Sequence, residues 1–138
     1  MFSTIPLRCI VILLCAVALV AAQNIAPLTL QQMTDKAGFI FSGRVVRVQP
    51  VRLPSGALAS MAISVHVERA IRGVKAGQTF SFNEWAGLWQ NGNQRYRVGD
   101  HVVLFLYPRS PASLTSPVGG QLGRVALNAR GNPILKSR

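Results

Sequence analysis

Two pairs of side chains in this 138-residue sequence have the types that hydrolytic or metal chemistry needs. His66 and Glu68 stand two residues apart, so a strand puts them on one face. Asp100 and His101 are adjacent. A catalytic zinc takes three protein ligands and keeps one position open, and a catalytic triad sets nucleophile, base and orienting group within hydrogen-bond reach of one another. Spacing places no third group with either pair. The expectation is that His66 and Glu68 form a solvated pair and that Asp100 caps a turn. No catalytic residue, metal or cofactor is assigned, and the chain is read as not an enzyme.

A second group, Trp85, Trp89, Arg95, Tyr96 and Arg97, is the candidate ligand-binding set. Aromatic faces beside guanidinium groups suit sugars, bases or acidic peptides. The structural alternative has Trp85 and Tyr96 closing the end of the fold while the arginines are solvated. Trp89 lies beside Asn91-Gly92 and is read as an exposed hairpin tip, the first contact with a partner. The loop from Thr115 to Gly120 has a glycine pair, but it lacks the Lys and following helix of a phosphate-cradling loop, so it is read as a structural turn.

The elements that must position these residues are mostly strands. Thr29 and Gln32 have capping-box spacing ahead of a short helix with Leu30, Met33 and Ala37 as its apolar stripe and Gly38 at its C-terminal end. That helix is expected to cover one face of the sheet. Residues 39–48 read as a first strand, bent by a bulge at Gly43 and ended by Pro50 and the Pro54-Ser55-Gly56 turn. The second strand alternates, with Met61, Ile63, Val65 and Val67 on one face and Ser64, His66 and Glu68 on the other. A glycine-containing turn over 71–77 precedes a third strand, 79–82, with Phe80 and Phe82 inward. Residues 101–107 read as the central strand, apolar on both faces and closed by Pro108. A long loop over 110–120, a fifth strand over 122–127, a turn at 130–132 and a final edge pairing at Ile134-Leu135 complete the chain. This pattern is mainly β, a five-stranded OB-like barrel with one short N-terminal helix; an open sandwich is the alternative.

Met1 to Ala22 has a basic start at Arg8, an apolar run and the small residues Val20-Ala21-Ala22, the layout of a secretory signal cut after Ala22. The competing reading is an uncleaved anchor, but the apolar run of about 14 residues falls short of the roughly 20 that span a bilayer. Residues 23–138 are then a single β-barrel domain, secreted or periplasmic, with no transmembrane segment. Cleavage removes Cys9 and Cys15 and with them all thiol chemistry. The formal charge of +11, from 15 basic and 4 acidic residues, predicts anionic partners.

The order of helix, Phe-Ser-Gly-Arg-Val-Val over 41–46, Val-His-Val-Glu-Arg over 65–69, and Tyr-Arg-Val-Gly-Asp over 96–100 before an apolar strand resembles the TIMP/netrin-module-like barrel. TIMP denotes the tissue inhibitors of metalloproteinases. More closely, Trp85-Ala86-Gly87-Leu88, residues 95–99 and residues 114–120 are similar to uncharacterised secreted bacterial proteins. The resemblance implies a binding or inhibitory module. TIMP-type inhibitors chelate a protease's zinc through an N-terminal cysteine, whereas the expected mature start here is Gln23, so inhibition would need another surface. The expected function is a secreted binding module for a secreted protein or anionic surface polymer. Protease inhibition and polyanion or nucleic-acid binding are the alternatives, and export takes intracellular nucleic acid out of reach.

Overall fold

Thr29 caps helix α1 (Leu30–Lys36) as its spacing predicts, its hydroxyl accepting from the Gln32 amide while the Gln32 side chain accepts from the Thr29 amide. The computed structural model describes residues 28–134. The expected signal segment 1–22 with its expected cleavage site, Gln23, both cysteines and Leu135 lie outside them. The chain leaves α1 in extended conformation at Ala37, so Gly38 is not a left-handed cap. A Cβ at Gly38 would sit 2.8 Å from the Pro108 backbone, so close approach is what demands glycine there. Arg72, from the second strand, donates to the carbonyls of Thr34 and Ala37 and so satisfies the C-terminal end of α1.

Five antiparallel strands follow: β1 (Phe39–Arg52), β2 (Leu58–Arg72), β3 (Thr79–Trp85), β4 (His101–Leu106) and β5 (Arg124–Ala126). Their order across the sheet is β3-β2-β1-β4-β5. The mainly β class holds, but the barrel does not. The ladder is open, with β3 and β5 at its edges. Between them runs the 114–118 segment, which touches β3 by a single bridge at Asn83 and β4 by a single bridge at Leu106. Pro117 has no amide hydrogen to offer a continuous ladder, and only scattered bonds form: Thr115 N–H to Asn83 O (3.0 Å), Ser116 O from Tyr107 N–H (3.0 Å) and Val118 N–H to Phe105 O (2.7 Å).

Register explains the bend. The β1–β2 pairing shifts between Ser42 and Gly43, where Glu68 is the extra residue, and again where Val46 is extra between Val45 and Arg47. The first shift is the bulge expected at Gly43. A Cβ there would lie 2.1 Å from the His66 carbonyl oxygen, so the two backbones meet at that point. β1 runs on through Pro50, which pairs with Met61. Pro50 lies beyond the stretch where β4 flanks β1, so its missing N–H breaks no ladder. β2 likewise extends to Arg72, past the turn expected to begin at Ile71.

The concave face buries Phe41, Val45, Ile63, Val65, Phe80, Phe82, Val102, Leu104 and Leu106 around Tyr96. On the convex face, Met33 and Ala37 of α1 cover Ile40, Val118 and Phe105. The helix therefore covers one face, as expected, and β4 is packed on both faces by alternate residues. β1, not β4, is the middle strand. Asn91-Gly92 is a turn with positive φ at both residues, yet it makes no hairpin. It ends a 3-10 segment, Ala86–Gly92, and the chain then crosses to place β4 beside β1.

Candidate functional site

β3 supplies the residue that organises the predicted binding group. Inward alternation through Phe80 and Phe82 continues to Glu84, which is fully buried. Arg95 donates to it through Nε (2.7 Å to Oε1) and Nη2 (3.2 Å to Oε2), and Trp89 donates through Nε1 (3.1 Å to Oε1). The two-pronged Arg95 contact is the strong geometry for a guanidinium and a carboxylate. It holds the Arg95 proton above its usual range, the hydrogen bond to Glu84 outweighing partial desolvation. Glu84 was absent from the sequence-derived set, although the period of two in Phe80-x-Phe82-x-Glu84 was a sufficient signal.

Tyr96 is buried beside this pair, edge-on to Phe82 and tilted against Trp89. Its hydroxyl has no hydrogen-bond partner among the described residues. Burial, then the charge of Glu84, pushes its phenol far above the ordinary 10.0, against the opposing pull of Arg124 and Arg95. The Arg124 guanidinium lies 4.9 Å from the Tyr96 ring centre, in cation–π contact.

The predicted set thus divides. Trp89, Arg95 and Tyr96 converge on Glu84 and hold the open end of the sheet. Trp89 is half-buried and packed against the core, not at an exposed tip, because the hairpin that would expose it does not form. Trp85 points the other way and is 59% exposed. Its ring rests on Gly87, where a Cβ would come within 2.3 Å of it. With Leu88, Tyr107, Pro108 and Leu114 it borders a shallow groove of about 340 Å³. Arg97 is exposed, and its amide donates to Asp100 Oδ2 (2.9 Å), the turn cap expected of Asp100.

The hydrolytic pairs are rearranged. His101 meets Glu68 (Nε2 to Oε2, 2.9 Å), not Asp100, and Arg44 between them on β1 reaches the other Glu68 oxygen at 3.4 Å. The bulge that makes Glu68 the extra residue of β2 sets it beside Arg44 and His101. His66 stays exposed opposite Arg44. Among the described residues, no three His, Cys, Asp or Glu side chains converge as metal ligands would. Comparison with protein families, curated proteins and solved structures finds no match to this chain.

Charge distinguishes the surface. All four carboxylates are engaged: Glu84 by Arg95 and Trp89, Glu68 by Arg44 and His101, Asp100 by the Arg97 amide, and Asp35 by Gln31 on α1. Arg47, Arg52, Arg69, Arg97 and Arg130 are exposed without a carboxylate partner among the described residues. Two of these, Arg69 and Arg130, join Arg44 and His101 along a groove of about 710 Å³.

Proposed function

We propose that this chain, exported and cut after Ala22, is a non-enzymatic binding module for an anionic surface polymer. The observation that carries this reading is the charge arrangement, in which every carboxylate is occupied while the exposed Arg47, Arg52, Arg69, Arg97 and Arg130 have no acidic partner among the described residues. A polymer bearing repeated negative groups would replace solvent and counterions along the Arg44–Arg69–Arg130 groove. Trp85, held flat on Gly87, offers a stacking surface for a sugar ring of such a polymer.

The test is binding to heparin and to a neutral dextran over a range of salt concentrations. Binding to heparin alone is expected, with an affinity that falls steeply as salt rises. Charge-removing changes at Arg69 and Arg130 should flatten that dependence by about one unit of log–log slope per lost contact. Trp85→Ala should weaken binding while leaving stability nearly intact. Equal affinity for heparin and neutral dextran, or a salt slope unmoved by the arginine changes, would overturn the proposal.

A further inference from the structure

Two guanidinium groups, Arg95 and Arg124, stand at the end of the concave core, and only Arg95 holds the carboxylate of Glu84. Arg95 donates to both Glu84 oxygens and Trp89 to one of them, while Arg124 makes no bond to Glu84. Arg124, at the start of β5, is half-buried and seated on the Tyr96 ring. It makes no ion pair and no side-chain hydrogen bond among the described residues. An arginine held in place with its donors unused leaves a positive charge free to meet an anion.

That corner is a cavity. Arg95 and Arg124 line a space of about 130 Å³, together with Asn93, Gln94, Pro117, Gly120 and Gln121. It lies apart from the Trp85 groove and from the Arg69–Arg130 groove, with no lining residue in common with either. The Gln94 amide already donates to the Tyr96 carbonyl (2.6 Å), which fixes one wall. Charge-assisted, forked donation from guanidinium is the usual recognition of phosphate and sulfate oxygens.

We propose that this cavity binds one tetrahedral oxyanion, phosphate or sulfate, either as the free ion or as an ester carried on a larger molecule. Arg124 supplies the unpaired fork. Arg95, held in place by Glu84, lines the same space with its charge balanced by that carboxylate, so the net positive charge there is that of Arg124. Asn93 and Gln121 line the same space and can add neutral donors. This site goes beyond the polymer reading, and the two can fail separately.

The experiment is calorimetric titration of the protein with sodium phosphate, against sodium chloride at matched ionic strength. Saturable binding of one phosphate is expected. Arg124→Gln should weaken it at least tenfold, and Arg124→Lys, which keeps the charge but loses the fork, should fall between. Because Arg124 also packs on Tyr96, the wild-type protein gives an independent measurement by nuclear magnetic resonance. Phosphate should shift the Arg124 Nε–H and the Gly120 and Gln121 amide signals. A response equal to that of chloride, unchanged affinity in a folded Arg124→Gln protein, or signal shifts only at distant residues would overturn the site. Displacement of phosphate by a sulfated disaccharide would assign the natural group to an ester. Phosphate binding that the disaccharide leaves untouched would assign it to the free ion.

Discussion

Replacing Glu84 with Gln tests the packing of the open end of the sheet with almost no change in volume. In one orientation the Gln oxygen still accepts from Arg95 Nε and Trp89 Nε1, but its amide nitrogen then faces Arg95 Nη2, a donor against a donor. The flipped orientation keeps the Nη2 bond and sets the amide against the other two donors. Removing one partner of a buried pair costs about 3–5 kcal/mol. Glu84 is fully buried, but the Arg95 side chain is 21% exposed and can recover some hydration. The expected loss is therefore about 3 kcal/mol, at the lower end of that range. For a domain of this size it corresponds to a fall in Tm on the order of 15 °C. Urea unfolding followed by tryptophan fluorescence is the assay, with Arg95→Gln and the double variant completing a cycle. The two changes should couple by about 1 kcal/mol or more. A Glu84→Gln protein within about 1 kcal/mol of wild type, or a cycle with no coupling, would refute the claim that this pair holds the end of the core.

Tyr96 should keep its proton in the folded protein beyond the pH at which a free phenol loses it. Its folded value is raised, so its contribution to stability is fully present below about pH 10 and declines above it, by up to about 1.4 kcal/mol per pH unit; ultraviolet titration of Tyr96→Phe against wild type reads this directly. Gly43→Ala should disrupt folding, because its Cβ would sit 2.1 Å from the His66 carbonyl oxygen, whereas Gly56→Ala, with open space around it, carries only the strain of φ +87°. That strain amounts to about 1–2 kcal/mol, and thermal melts of the two variants should rank them accordingly. The chain has two tryptophans, and single-tryptophan variants should separate them: Trp89 alone should emit further to the blue than Trp85 alone, and the reverse order would contradict their burial.

Much of the fold is legible in residue order. Alternation in 61–67 and at Phe80 and Phe82 identifies inward faces, because successive side chains on a strand point to opposite sides. Thr29 and Gln32 mark a helix start through bonds that span three residues. The bulge shows at Gly43 because the apolar phase slips there. Each of these is a local property of the chain, readable without knowing what packs against it.

The candidate site is a different matter. Residue order makes Trp89 an exposed tip and leaves Trp85 between ligand contact and end closure, whereas the structure exposes Trp85 and half-buries Trp89, because burial depends on how β3 leaves the sheet and on the buried carboxylate that Trp89 meets. Asn91-Gly92 adopts the backbone of a hairpin turn, but whether a turn joins paired strands is set by competition for partners, and β1 takes β4. The pairing of His101 with Glu68 joins residues 33 apart and depends on a register shift. Local sequence by itself determined which faces are apolar, where helix and bulge fall, and that the surface is cationic, since each follows from composition or from neighbours along the chain. Only the tertiary structure decided that the sheet stays open, that Glu84 and not a tryptophan organises its end, and that Arg124 is left without a carboxylate. Those outcomes rest on long-range contacts, in which each polar group takes whatever partner the folded backbone sets within a few ångströms of it.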